Sequence, residues 1–561
     1  MTNPHPNAVP RAKVQGQRHT LLRLGITQCL LALSSAVLLN FCFPLTGPMR
    51  PWRGAIGWIA LVPLLVAILS ERATTLKHPL RRSFLIGYLC GFIWYTINSY
   101  WIYVPMHSAG VSAAGSAAIV ALYSAVLGLY FGLFAWAVAL LRRRLGLTLA
   151  LCLAPILWPS VELLAYHLTR VPWDQFGYSQ IDNFWLIRIA PWAGTYGIAA
   201  VLVAGNALFT AALLLRPTRL RMRLGVLGLL FAGVLQMGTL FAPKPAPTSA
   251  TALLLQVNLS VNNQASSESP AFYSDLLRFS ASSSTACTPY YPGLYGLTRT
   301  EVHPDCAKAP SHPNLIVWPE APTPFIDEDP VFRSYLEALT KREHSAAFVG
   351  DIATQYFMRH GRPASAIYNS ASFFNSKGQY DGRYDKIHLV PFGEYVPYQK
   401  LFFWAGSLVD QIGTFTHGWR RVVFHDQGHV FGIFICYESV FSNEVRLFAK
   451  KGAQVFINIS DDDWYGNTSA PWQHLNMARM RAVENHRWLL LDTNNGVTCV
   501  VDPEGRVTQS IALHTYGTLA ARYGYESCTT FYTRYGDVFA FLCSAISLGA
   551  LGLALFRRKT I

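Results

Sequence analysis

Apolar runs long enough to cross a bilayer recur near residues 21–43, 54–70, 84–104, 112–141, 149–167, 192–215 and 224–242, and once more near 538–556. A helix needs about 20 such residues to span the hydrocarbon core. The chain is therefore expected to hold about eight transmembrane helices, about seven of them in a membrane domain over 21–242 and one within 537–561. No small-residue cleavage site closes the first run and further apolar segments follow directly, so it reads as a helix and not as a removed signal peptide. Between 243 and 536 the spacing changes to short β-rich runs alternating with helical periodicity. Strands are predicted at 252–259, 314–318, 346–350, 366–375, 430–435, 454–459, 488–493 and 496–502, and helices at 330–342, 443–451 and 471–486. Residues 1–20, with Arg11, Lys13 and Arg18, read as a disordered basic tail, and the Ser/Asn/Thr-rich stretch 260–313 reads as an insert.

Composition agrees with a membrane protein: 52% of residues are hydrophobic, only 14% are charged, and the mean hydropathy is +0.24. A net charge of +15 would suggest nucleic acid as a partner in a soluble protein. Here the basic residues sit in short clusters between apolar runs: the tail, the segment Arg72 to Arg82, Arg142-Arg143-Arg144, the group Arg216, Arg219, Arg221 and Arg223, and Arg557-Arg558-Lys559. No nucleic-acid partner is expected. The alternate loops are poorer in basic residues, and one balances Arg170 and Arg188 with Asp174 and Asp182. By the positive-inside rule both termini are cytoplasmic and 243–536 lies outside. Cys287 and Cys306 flank a Tyr/Pro/Gly-rich loop and could pair there in an oxidising compartment. Neither metal-ligand spacing nor a phosphate-binding glycine pattern occurs, so no metal or soluble cofactor is expected.

Within the outer segment the run Val430 to Ile435 stops at Cys436, and the following residues can start a helix. A thiol at such a corner is placed as a nucleophile, because a helix N-terminus favours thiolate and can hold an oxyanion. Upstream, Leu315-Ile316-Val317-Trp318-Pro319 ends in Glu320, and a Pro/Gly-rich turn carries Lys386 and Glu394. Glu320, Lys386 and Cys436 together supply a base, an ammonium for the oxyanion and a soft nucleophile, which is the set that acyl transfer through a thioester needs. The stretch Tyr395 to Thr416, with Phe402, Phe403 and Trp404, is too apolar for an exposed loop and is expected to be a lid at the lipid surface.

The segments Trp318-Pro319-Glu320, Asp385-Lys386-Ile387-His388, Pro391-Phe392-Gly393-Glu394, Cys436-Tyr437-Glu438, Trp464-Tyr465-Gly466, Gln473-His474 and Thr493-Asn494-Asn495-Gly496 resemble the nitrilase superfamily, and within it the membrane-embedded apolipoprotein N-acyltransferases. The resemblance implies an extramembrane α/β domain, a nitrilase-like α-β-β-α sandwich over 243–536, on a polytopic helical membrane domain in the bacterial inner membrane, with the catalytic domain periplasmic. It implies Glu320 as general base, Lys386 as oxyanion stabiliser and Cys436 as nucleophile, with Glu394, Tyr437 and Glu438 in support. The implied acyl donor is a phospholipid such as phosphatidylethanolamine, the acceptor is a diacylated apolipoprotein, and the enzyme is expected to be monomeric. A membrane-anchored amidase using the same three residues is the alternative. Asp461-Asp462-Asp463 is more acidic than the family pattern, and Ser442 stands where proline is usual.

Overall fold

The computed structural model describes residues 11–74, 77–259, 276–277, 280, 312–320, 326–391, 393–395 and 415–556. Among these, six stretches are long and apolar enough to cross a membrane: Pro51–Leu69, Ala113–Leu145, Leu147–Thr169, Leu186–Leu214, Thr218–Thr239 and Val538–Phe556. The helices Arg11–Phe41 and Pro79–Asn98 stand with them, which makes up the expected eight. The first helix begins at Arg11, so the basic segment is helical where a disordered tail was expected; Lys, Arg and Gln are good helix formers and extend the apolar helix backwards. Lipid offers no hydrophobic force between helices, so close packing of small residues replaces it. A Cβ on Gly87 of Pro79–Asn98 would collide with the Phe131 carbonyl of Ala113–Leu145.

Among the described residues the outer domain holds two six-stranded sheets. The first has the order β12-β1-β2-β3-β4-β5, formed by Gly517–Tyr523, Ala250–Gln256, Leu315–Val317, Ala346–Arg359, Arg362–Phe374 and Tyr380–Asp385. The second has the order β11-β10-β9-β8-β7-β6, formed by Val507–Ser510, Cys499–Val501, Trp488–Thr493, Val455–Ser460, His429–Ile435 and Val423–Asp426. β1, β2 and β3 run parallel, as do β7, β8 and β9, which is why these strands are buried apolar runs. Phe348, Phe373, Phe424 and Phe431 meet between the sheets, with ring centroids 4.7–6.4 Å apart. The helix Pro330–Glu343 covers the outer face of the first sheet through Phe332, Leu336 and Leu339. Ser442–Lys450 and Ala470–Asn485 cover the second, completing an α-β-β-α sandwich.

The helix Ala470–Asn485 is buried at every position except Trp472, because it lies between the second sheet and the membrane helices. Arg479 Nη2 reaches Asp182 Oδ1 at 2.6 Å, Arg481 Nη2 donates to the Tyr178 hydroxyl at 2.9 Å, and Gln473 Nε2 donates to the Asn98 carbonyl at 3.1 Å. Asp182, which the sequence offers only as a loop charge, thus docks the outer domain on the bundle.

Candidate active site

Four chain segments converge at the ends of the central strands. Glu320 follows β2, Asn369 lies on β4, Lys386 follows β5, and Glu394 closes the turn after it. Lys386 Nζ lies 2.9 Å from Glu320 Oε1 and 3.0 Å from Glu394 Oε1. Asn369 Nδ2 donates to the same two oxygens at 2.7 and 2.6 Å. The second oxygens are held by backbone: the Asp461 N–H donates to Glu320 Oε2 at 2.9 Å and the Val390 N–H to Glu394 Oε2 at 2.8 Å. Glu320, Lys386 and Glu394 are all buried. Burial alone would lower the Lys386 pKa, but Glu320 and Glu394 outweigh it and hold the ammonium well above its ordinary range.

Cys436 sits at the end of β7 with φ +50°, a left-handed conformation that costs a non-glycine residue about 1 kcal/mol or more. It opens a 3₁₀ turn, Cys436–Val440, and the α-helix begins only at Ser442. The helix N-terminus is therefore further from the thiol than the sequence suggests. Burial, with Glu320 added, pushes the thiol well up against the opposing pull of Lys386 and of a hydrogen bond from Ser460. Burial thus favours the thiol over the thiolate expected from a helix end, and a base near the sulfur would be needed to release the nucleophile.

Glu438 ties the corner to the lysine loop. Its Oε1 accepts from the Ile387 and His388 N–H groups at 2.7 and 3.0 Å and from the Tyr384 hydroxyl at 2.8 Å, while Oε2 accepts from the Ile435 N–H at 2.8 Å. The neighbouring Tyr437 turns to the membrane domain, where its ring stacks on Trp173 at 6.2 Å and its hydroxyl donates to the Arg170 carbonyl at 3.4 Å. Phe402, Phe403 and Trp404 of the expected lid lie outside the described residues, as do Cys287, Cys306 and nearly all of the 260–313 insert.

Sequence reasoning missed three supports. Asn369 is a polar side chain in a strand expected to be buried, and that misfit was its one available signal. Asp462 and His474 lie under the corner: His474 Nε2 is 3.1 Å from the Cys436 carbonyl, its Nδ1 is 3.3 Å from Asp462 Oδ1, and Ser460 Oγ donates to Asp462 at 2.9 Å. Part of the unusual acidic run is thus structural. A Cβ on Gly496 would collide with the Asp462 carboxylate.

The arrangement brings a buried carboxylate and ammonium from the ends of β2 and β5 toward a buried thiol at the end of β7, with Trp173 of the membrane domain stacked on the neighbouring Tyr437. Comparison with known proteins gives its family. The family described as carbon-nitrogen hydrolase matches residues 276–530, and that described as apolipoprotein N-acyltransferase N-terminal domain matches 35–208. An apolipoprotein N-acyltransferase of Geobacter metallireducens is 31% identical over 95% of this chain and 96% of its own length. The chain belongs to the apolipoprotein N-acyltransferase family. Another such relative, from Pseudomonas syringae, is 32% identical over 82% of this chain and 85% of its own. Among solved structures, Saccharomyces cerevisiae Nit3, a member of branch 10 of the nitrilase superfamily, aligns with 51% of this chain and 93% of its own at 18% identity and a TM-score of 0.33. As a family member the chain is a membrane-embedded acyltransferase, and lipid and lipoprotein are its substrate classes.

Proposed function

We propose that the enzyme moves an acyl chain from a phospholipid, phosphatidylethanolamine in the first instance, to the α-amine of the diacylglyceryl-cysteine that begins an apolipoprotein. In the first half-reaction the Glu320 carboxylate takes the Cys436 proton and the sulfur attacks the acyl ester carbon. The oxyanion that forms faces the Lys386 ammonium. Collapse breaks the ester C–O bond, Glu320 returns the proton to the departing lysophospholipid oxygen, and a thioester remains on Cys436. In the second, the lipoprotein amine attacks that thioester, Glu320 takes a proton from the nitrogen, an amide forms and the thiol is regenerated. Glu394 and Asn369 hold Lys386 and Glu320 in register, and Glu438 holds the corner.

The observation that carries this reading is the 2.9 Å Lys386–Glu320 contact in a buried cluster near the buried Cys436 thiol. The membrane location fits the chemistry as well, since the donor ester lies at headgroup depth and needs no extraction there. In this reading the outer domain faces the periplasm, both termini are cytoplasmic, and the segment around Phe402, Phe403 and Trp404 admits the acyl chain. The test is transfer of a labelled acyl chain from phosphatidylethanolamine to a synthetic diacylated lipopeptide. The expected product carries the label as an amide on the α-nitrogen, and acetylating that nitrogen beforehand abolishes it. Label released only as free fatty acid, with a small amide hydrolysed in its place, would make the protein an amidase.

A further inference from the structure

The end of the helix bundle remote from the outer domain contains a cavity of about 440 Å³. Its position follows from connectivity. The loop after Pro79–Asn98 meets the outer domain, where Trp101 packs on Tyr465, whereas the cavity is walled by Arg142, at the far end of the next helix, Ala113–Leu145. Four arginines line it, Arg72, Arg142, Arg216 and Arg221, against a single carboxylate, Glu71. Glu71 contacts Arg216 at 3.4 Å and also lies near Arg142, but its side chain is largely exposed and one carboxylate leaves most of the charge of four arginines unbalanced. Arg142 Nη1 is buried and has no hydrogen-bond partner among the described residues. The rest of the wall is apolar, formed by Leu31, Val66, Leu147 and Leu213, with Ser70 at the polar side.

A loop of exposed arginines needs no ligand; it is the ordinary mark of a cytoplasmic face. This site differs in two respects. It is concave and half apolar, and it buries a guanidinium nitrogen that no described residue satisfies, which is costly unless an acceptor arrives. A phosphate offers the fork-matched acceptor oxygens, and an attached glycerol and acyl chain would cover the leucines. We propose that this cavity seats the headgroup of an anionic phospholipid, with its phosphate between Arg142 and Arg221 and its chain root on the apolar wall. The site lies at the opposite end of the bundle from Cys436 and is separate from the acyl-donor site.

The test uses the full chain in detergent, stripped of lipid, with native mass spectrometry after addition of dioleoyl-phosphatidylglycerol, dioleoyl-phosphatidylcholine or inorganic phosphate. The wild type is expected to retain phosphatidylglycerol over phosphatidylcholine. The pair Arg142→Gln with Arg221→Gln should lose that retention about thirtyfold, from about 1 kcal/mol per basic residue. Arg143→Gln, which removes an exposed charge outside the cavity, should leave retention intact, and Arg142→Lys with Arg221→Lys should keep most of it, which separates lost charge from lost folding. Equal retention by the glutamine pair, or equal loss in Arg143→Gln, would overturn the site. Displacement of the lipid by inorganic phosphate would overturn the lipid in favour of a soluble anion.

Discussion

Two clusters of acid and base share one edge of the first sheet and are centred on opposite charges. One centres on a carboxylate that receives two cations, of which Arg383 also pairs with Asp385 and Glu328, and the other on a cation that receives two carboxylates. In the outer cluster Asp327 receives Arg333 and Arg383, each at 2.7 Å, and the Tyr380 hydroxyl at 2.9 Å. Burial would raise its pKa, but the guanidinium groups outweigh that and hold the carboxyl below its usual range. Three residues beyond Arg383, the inner cluster gives two carboxylates, Glu320 and Glu394, one shared ammonium on Lys386. A carboxylate that receives two guanidinium groups braces the fold. In the inner cluster two carboxylates share one ammonium near a buried thiol, which in the proposed mechanism sets an acid–base group beside the nucleophile.

Removing the shared cation should therefore have the largest effect. Lys386→Met leaves two buried carboxylates facing each other, and acyl transfer is expected to fall by about 10³-fold or more with a stability loss of about 3–5 kcal/mol, read by transfer rate and thermal unfolding. Asn369→Ala removes one hydrogen bond from each carboxylate but keeps the charges, so a fall of about 10–100-fold in rate is expected. An unchanged rate would make Asn369 mere packing. Asp327→Asn should do the reverse of both: unfolding is eased by about 1–3 kcal/mol while transfer per folded molecule is unchanged. A loss of transfer there would erase the distinction between the clusters.

The smallest effect concerns pH. Burial lifts the Asp461 carboxyl to about 8, opposed by hydrogen bonds from Asn494 and the Asp463 N–H and aided by Glu320. The folded value lies above the unfolded one of about 3.9, so the folded state binds the extra proton. Its contribution to stability is full below about pH 4 and is lost as pH rises through about 8. Asp461→Asn should flatten the dependence of unfolding temperature on pH across that window, and an unaltered slope would show that Asp461 is ionised in the folded protein.

The same contrast explains how far the sequence could be read. The predicted strands correspond to the eight interior ones. Six of them, β1 to β3 and β7 to β9, have parallel neighbours and read as continuous apolar runs, while β4 and β10 pair antiparallel and are apolar where they are buried. The four that escaped notice, β5, β6, β11 and β12, are the four sheet edges. An edge strand pairs on one side only, and Tyr380–Asp385 carries three charges in six residues, so it reads as a loop. At the site, Glu320 and Cys436 were legible because each is a polar residue at the end of an apolar run, and Lys386 and Glu394 because they frame a Pro/Gly-rich turn. Asn369, Asp462 and His474 were not, since their partners come from β2, β8 and the Cys436 corner, and only the fold brings those together. The expected pull of a helix end on the thiol failed for a related reason. A 3₁₀ turn separates Cys436 from the α-helix, and burial with Glu320 nearby raises the thiol pKa.

The thioester on Cys436 is open to direct observation. The purified chain would be given phosphatidylethanolamine with a labelled acyl chain and no acceptor, and the peptide carrying Cys436 examined by mass spectrometry beside a Cys436→Ser control. The expected result is a hydroxylamine-labile acyl adduct on Cys436, absent from the control and discharged when a diacylated lipopeptide is added. Transfer to the lipopeptide that proceeds with no adduct on Cys436, or undiminished in Cys436→Ser, would contradict a thioester mechanism at this site.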